Sequence, residues 1–391
     1  MDPPRCNLGG CKRGAIGSMA IKEPSFTVGI EEEYLLVNRD SRDLAHEQPP
    51  ELLAKCEEAL RGQVSPEFLR SQIEVGTRVC NSMQEARDQL VQLRSTVGHI
   101  ADQFGLAPIA SSTHPFAEWS AQQHTDKERY NVIARDLQQV GRRLVISGMH
   151  VHVGIEDDDL RIDLLGQAAY FLPHLLALST SSPFWQSRRT GLKGYRLAAY
   201  DELPRTGVPE LFRSREEFDA YVAALVRARV IEDSSYIWWA IRPSLLNPTL
   251  ELRAPDSCTL VEDGVAIAAL YRTLARHLYV NRWRNADLDA VARAIIVENK
   301  WQAQRYGVHA TFAAEDGAVT VAEMLERVIC DTAADAAALG CTAEIDRCRA
   351  IVGAGTSADA QLAVFEAHKQ NGSHSAALRA VTDWIAAATL Q

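Results

Sequence analysis

Glu31 and Glu33, His150 and His152, and Glu251 and Arg253 are three pairs of reactive side chains, each with one residue between the partners. A β-strand turns successive side chains to opposite faces, so residues two apart share a face. If each pair lies on a strand, its two functional groups point the same way. Two carboxylates on one strand face are about 7 Å apart along the chain, a spacing that suits one hard cation or a pair of them. A solvated acidic strand end is the alternative for the first pair taken alone. The stretch TVGIEEEYLLV, residues 27–37, sharpens the question because acidic residues are depleted in strands and like charges repel. Glu32 falls on the opposite face, with Val28, Ile30, Tyr34 and Leu36. It is expected to pair with an arginine or to reach solvent.

The same alternation recurs elsewhere. In SQIEVGTRV (71–79), Gln72, Glu74, Gly76 and Arg78 share one face, with Ile73, Val75, Thr77 and Val79 on the other. In LVISGMHVHVG (144–154), Ile146, Gly148, His150, His152 and Gly154 align against Val145, Ser147, Met149, Val151 and Val153. In PTLELRAPD, Glu251 and Arg253 oppose Leu250 and Leu252. Four strands with a functional face opposite an apolar face describe a sheet whose open side is an active site. Four carboxylates are oxygen donors of the type preferred by Mg²⁺ or Mn²⁺. Arg78, Arg242 and Arg253 suit phosphate or a substrate carboxylate. Carboxylates for Mg²⁺ opposite arginines form an arrangement used for phosphoryl transfer from a nucleotide.

Other readings of single residues remain open. The His150/His152 pair also fits a metal-dependent hydrolase, His150 fits a hydrogen-bonded core histidine, and Arg253 fits a structural partner of Glu251. No GxxxxGK[ST] loop and no GxGxxG between strand and helix is present, so neither a P-loop nor a dinucleotide fold is supported.

Strand-like segments occur around 26–37, 72–80, 144–154, 236–243 and 248–254. Helical periodicity is clearest at 83–104, 161–179, 214–229, 262–283 and 287–304, and the chain from about 319 is Ala-rich and helical. Irregular strand spacing without a βαβ cadence predicts an α+β fold with a largely antiparallel sheet. The 391 residues, 47% hydrophobic and 24% charged, allow a normal buried core. A net charge of −10 argues against a nucleic-acid or anionic-membrane surface. Eight cysteines with no CxxC pair read as reduced thiols of a cytoplasmic protein, without structural zinc. The uncharged stretch 164–187 reads as a buried helix and its exit rather than a membrane span. Residues 1–24 read as a disordered leader or tag, and 25–391 as a single catalytic domain with a helical C-terminal part.

GIEEEYLLV, QIEVGT, SGMHVHVG, WWAIRPS, TLELRAPD and ENKWQAQRYG follow one another in an order and at spacings that resemble the bacterial carboxylate–amine ligases of the glutamate–cysteine ligase type 2 (YbdK) family. The resemblance covers roughly residues 25–385. It implies a glutamine synthetase-like catalytic domain, a curved sheet with helices packed on one face, working on ATP with Mg²⁺ or Mn²⁺. It implies a reaction in which a carboxylate, such as that of glutamate, takes the γ-phosphate of ATP to give an acyl phosphate, and an amine such as cysteine then displaces phosphate. On that resemblance, Glu31, Glu33, Glu74 and Glu251 bind metal. Glu31, Glu33 and Arg253 act in catalysis, and His150, Arg196, Arg242 and Arg253 contact ATP or substrate. Asn299 and Arg305 rank below these, and 197–209 is the expected region of substrate selection. A homodimer is expected from the general frequency of two-fold assemblies.

Overall fold

The computed structural model describes residues 21–391 apart from 119, 121, 143, 144, 283, 315, 316 and 371. The strands are β1 (Val28–Asn38), β2 (Val64–Pro66), β3 (Gln72–Gly76), β4 (Leu106–Ile109), β5 (Met149–Gly154), β6 (Phe184–Trp185), β7 (Arg188–Arg189), β8 (Ile241–Pro243), β9 (Thr249–Leu252), β10 (Thr311–Ala314) and β11 (Gly317–Thr320). Seven of them form one sheet in the order β2-β3-β1-β5-β9-β8, with β4 paired to the far end of β1. Every pairing in it is antiparallel. β6–β7 and β10–β11 are separate hairpins.

The register explains why the functional residues meet. Glu33 pairs with Glu74, and Glu31 with both Gly76 and His150. His152 pairs with Glu251, which pairs with Arg242 on its other side. Directly opposed residues in an antiparallel pair have Cβ atoms about 5 Å apart, so one row of side chains crosses five strands.

The opposite face is apolar. Val28, Ile30, Tyr34, Ile73, Val75, Met149, Val151, Val153, Leu250 and Leu252 are all buried there. The long helices Met83–Asp102 and Val261–Val280 pack against it. Gly264 lets the second helix lie close, since a Cβ at that position would come within 3.1 Å of Met149 Sδ. At the far end of β1, Leu35 and Val37 join a second cluster with Ile109, Phe365, Leu378, Val381 and Ile385. There the C-terminal helices Ser357–Lys369 and His374–Thr389 add a further layer.

Glu32 lies in the apolar face and is 1% exposed. Arg94, from the helix Met83–Asp102, donates to its two oxygens at 2.6 and 2.9 Å, and the Tyr34 hydroxyl donates at 2.5 Å. Arg94 also donates to the carbonyls of Cys258, Thr259 and Thr389. The third glutamate of the acidic run is therefore a buried staple between sheet, helix and C-terminus.

Several expected elements differ in extent. The helix expected over 161–179 is two, Asp158–Ala169 and Leu172–Ser179, with Pro173 in the first turn of the second. The strand expected over 72–80 ends at Gly76, and exposed Arg78 lies beyond it. Residues 1–20 of the expected leader lie outside the described residues. From Ile21 the chain is packed, with the Ile21 carbonyl accepting from Tyr279 at 2.9 Å and Glu23 paired with Arg276. No helix among the described residues is long and apolar enough to cross a membrane.

Candidate active site

The functional row lines a cavity of about 450 Å³. Glu31, Glu33, Glu74, His150, His152, Arg196, Arg242, Glu251 and Arg253 all border it. Arg78 does not, because β3 has ended before it and its side chain is exposed. Asn299 and Arg305 are also outside. Asn299 exchanges hydrogen bonds with the backbone of Ala313 on β10, and Arg305 lies over the Tyr306 ring.

The carboxylates fall into two groups. Glu33, Glu67 and Glu74 bring one oxygen each within 4.8 Å of one another, and Glu31, His150 and Glu251 do the same with their ligand atoms. Glu67 was not singled out by the sequence because β2 is three residues long and shows no alternation. The signal was the register: Ser65 pairs with Glu74, so Glu67, two residues on, returns to the same face.

Electrostatics differ sharply between the groups. Burial and the neighbouring Glu67 push the Glu33 carboxyl up to about 8, against the pull of Arg196, the Gly148 N–H and Arg253. Burial and the charges of Glu67, Glu31 and Glu33 drive Glu74 well above the ordinary carboxylate range. Three half-buried acids crowd together here without a hydrogen-bonded cationic side chain, so a bound cation is the compensation that the donor set invites. In the other group, burial would raise Glu31. Hydrogen bonds from His150 and His152 and their charges outweigh it and hold Glu31 well below its usual range. Glu251 is likewise buried, yet Arg253 and Arg242 hold it low. Arg242 donates to its two oxygens at 2.8 and 3.3 Å, and Arg253 makes a close ion pair with it. Its charge is largely compensated by side chains already present.

His150 Nδ1 lies 3.2 Å from Glu31 Oε2, and His152 Nε2 lies 3.3 Å from Oε1. His152 Nδ1 meets Thr249 Oγ1 at 2.8 Å. The two imidazoles thus bracket one carboxylate, and only His150 joins a potential ligand group among the described residues. Burial and Arg253 push His150 down to about 4. Burial would also lower His152, but its hydrogen bond to Glu31 and the charge of Glu251 raise it.

Arginines face the acids. The Arg196 guanidinium occupies the space above Gly148, where a Cβ would come within 2.2 Å of Nη2. Any larger residue there would displace the guanidinium from this place. Buried Nε atoms of Arg196 and Arg253 have no hydrogen-bond acceptor among the described residues. Unspent guanidinium donors bordering a cavity suit an anionic ligand. Tyr200 links the two arginines, with its ring 5.5 Å from the Arg196 guanidinium and its hydroxyl accepting from Arg253 Nη2 at 3.4 Å. The walls add Phe68, Tyr130, Leu137, Leu203, Trp238 and Leu246. Tyr200 and Leu203 come from the loop expected to take part in substrate selection.

A sequence profile described as glutamate–cysteine ligase family 2 matches residues 27–382. A relative from Bradyrhizobium sp. (strain ORS 278), provisionally named glutamate–cysteine ligase 2, is 52% identical over 378 residues, covering 97% of this chain and 91% of its own. A relative of the same provisional name from Rhodospirillum rubrum is 52% identical, covering 95% and 97%. Among solved structures, a glutamate–cysteine ligase from Francisella tularensis in complex with AMP superposes with a TM-score of 0.66 at 14% identity, over 95% of this chain and 90% of that one. At that identity the likeness concerns the fold, and it agrees with the open antiparallel sheet and its helical layer. The chain belongs to glutamate–cysteine ligase family 2.

Proposed function

We propose that this protein is an ATP-dependent carboxylate–amine ligase that joins glutamate, or a similar carboxylate, to an amine through an acyl phosphate. The observation that carries the proposal is the opposition, across one cavity, of the crowded acids Glu33, Glu67 and Glu74 and the arginines Arg196, Arg242 and Arg253. Residues 25–391 act as one catalytic unit in this reading.

The donor set fits Mg²⁺ or Mn²⁺. Glu33, Glu67 and Glu74 offer three oxygens, and Glu31 with His150 and Glu251 offers a second group. A bound divalent ion supplies charge neutralisation for the phosphate oxygens. Zinc chemistry on His150 and His152 has less support, since only His150 joins a potential ligand group among the described residues and its companions there are the carboxylates Glu31 and Glu251.

The chain's own residues account for the rest of the chemistry. A carboxylate is a poor acceptor for an amine because its leaving group would be oxide. Transfer of the γ-phosphoryl group to one carboxylate oxygen releases ADP and leaves phosphate as the later leaving group. During that transfer negative charge is spread over the equatorial phosphoryl oxygens, where the fixed guanidinium groups of Arg196 and Arg253 are worth most. Glu251 holds Arg253 and Arg242 in place without solvent reorganisation. Phe68, Tyr130, Leu203 and Trp238 limit the access of water, which would otherwise hydrolyse the acyl phosphate. Attack by the amine then forms the amide and frees phosphate.

The test is phosphate release from Mg·ATP by purified protein with glutamate and a panel of amines that includes cysteine. Release that requires both glutamate and an amine, with the matching amide as product, supports the proposal. ATP-independent hydrolysis stimulated by zinc would replace it with the hydrolase reading.

A further inference from the structure

Asp256 lies three residues beyond Arg253, fully buried, and faces Gly148 across an antiparallel bridge. Its Oδ2 accepts from the Ser181 N–H at 2.9 Å and from Ser182 Oγ at 2.7 Å. Ser182 Oγ in turn accepts from the Arg196 N–H at 3.0 Å. The Ser182 carbonyl accepts from the Tyr195 N–H at 3.2 Å. Asp256 and Ser182 therefore pin the first turn of the short helix Tyr195–Tyr200. Arg196 Nη1 returns to the same segment, donating to the carbonyls of Arg253, Ala254 and Pro255 at 3.1, 3.4 and 3.3 Å. Tyr200, one turn further along, carries the contact to Arg253. At the far end Asp201 makes a close ion pair with Lys300, so both ends of this helix are tied down.

Oδ1 of Asp256 makes no hydrogen bond of good geometry among the described residues, the Ser112 hydroxyl being the one further side chain that steadies the carboxylate. An asparagine there would accept these two bonds more weakly, as a neutral amide, and would bury an NH2 group where no acceptor stands among the described residues. A buried acid with one poorly satisfied oxygen is costly in a purely structural role. Its charge has one evident counterpart, since the Arg196 guanidinium opposes the rise that burial imposes on the Asp256 carboxyl.

We propose that Asp256 is a positioning residue for the phosphate grip: through Ser182 and the helix Tyr195–Tyr200 it fixes Arg196 and Tyr200, and through Tyr200 it fixes Arg253. This rests on the ATP-dependent reading of the cavity. Its consequence is that the two arginines act as one preorganised unit whose orientation is set by a buried carboxylate outside the cavity lining.

The experiment compares Asp256→Asn, Ser182→Ala, Arg196→Met and the Asp256→Asn/Arg196→Met pair in full-length protein. It reads kcat, KM for ATP, KM for glutamate and the thermal midpoint. Misplacement of a catalytic group by a fraction of an ångström costs about tenfold or more. Asp256→Asn should lower kcat by about tenfold with the KM for glutamate unchanged, and Ser182→Ala should move kcat in the same direction. Adding Asp256→Asn to Arg196→Met should cause a smaller loss than Asp256→Asn causes alone, because only the Tyr200–Arg253 branch is left to disturb. Asp256→Asn that keeps kcat while Arg196→Met loses it would overturn the positioning role alone, as would losses that multiply in the pair. If Asp256→Asn does not fold, Ser182→Ala with and without Arg196→Met decides by the same criterion. An Arg196→Met variant with unchanged kcat and KM for ATP would instead overturn the phosphate grip itself, and the positioning role with it.

Discussion

Replacing Glu33 with glutamine should make the metal-free protein more stable while abolishing its turnover. Burial and Glu67 raise the Glu33 carboxyl from 4.5 to about 8. The folded state therefore holds a proton that the unfolded chain releases. For a group raised on folding, the favourable contribution is fully present below pH 4.5 and is lost as pH rises through about 8. At pH 7 that shift corresponds to about 3 kcal/mol of lost stability relative to the protonated acid. Glutamine mimics the protonated form and can still accept the Gly148 N–H, now at 2.6 Å to Glu33 Oε2. The variant should regain about 3 kcal/mol near neutral pH, and below about 1 kcal/mol near pH 5. For a chain of 391 residues this is a rise of roughly 3–4 °C in thermal midpoint. Differential scanning calorimetry in chelator, at both pH values and with and without Mg²⁺, reads the effect. Mg²⁺ should stabilise the parent protein more than the variant. A variant less stable than the parent at pH 7 without metal, or equal stabilisation of both by Mg²⁺, would refute the cation-site argument.

Mg²⁺ affinity should weaken as pH falls below about 8, because Glu33 and Glu74 must lose protons to bind it; calorimetric titration in two buffers should show proton release near neutral pH. Glu251→Gln should cost about 3–5 kcal/mol of stability, because the buried carboxylate is the partner of both half-buried Arg253 and half-buried Arg242. Chemical denaturation would show this, and a variant of unchanged stability would return Glu251 to a simple metal-ligand role. Arg94→Met should destabilise by a similar amount, about 3–5 kcal/mol, by isolating Glu32 in the core. The KM for ATP of the protein that remains folded should not change.

The alternation of side chains along single strands was enough to find most of the site. Glu31, Glu33, Glu74, His150, Glu251 and Arg253 sit on the faces that their spacing predicts, because each strand buries one apolar face and a one-residue slip would expose it. Information carried between strands was not legible. Glu32 was marked as needing a partner, but Arg94 stands 62 residues away on a helix. Glu67 follows a strand too short to show a period. Arg78 obeys the alternation, yet β3 ends two residues before it once the pairing with β1 stops at Gly76. The compensation of Glu251 by Arg242 is also a cross-strand fact, since only the β8–β9 register brings them together. Tyr200 comes from a segment that no strand pattern marks, and Trp238 from the part of the strand-like segment 236–243 that precedes β8; both meet the acids only once the sheet is assembled.

The acyl phosphate proposed on the substrate carboxylate can be tested by following the carboxylate oxygen. Glutamate carrying heavy oxygen in its side-chain carboxylate is incubated with the protein, Mg·ATP and an active amine, and the released phosphate is analysed by mass spectrometry. An acyl-phosphate route leaves one labelled oxygen in each phosphate released per amide formed. Unlabelled phosphate, or label appearing in AMP, would contradict it.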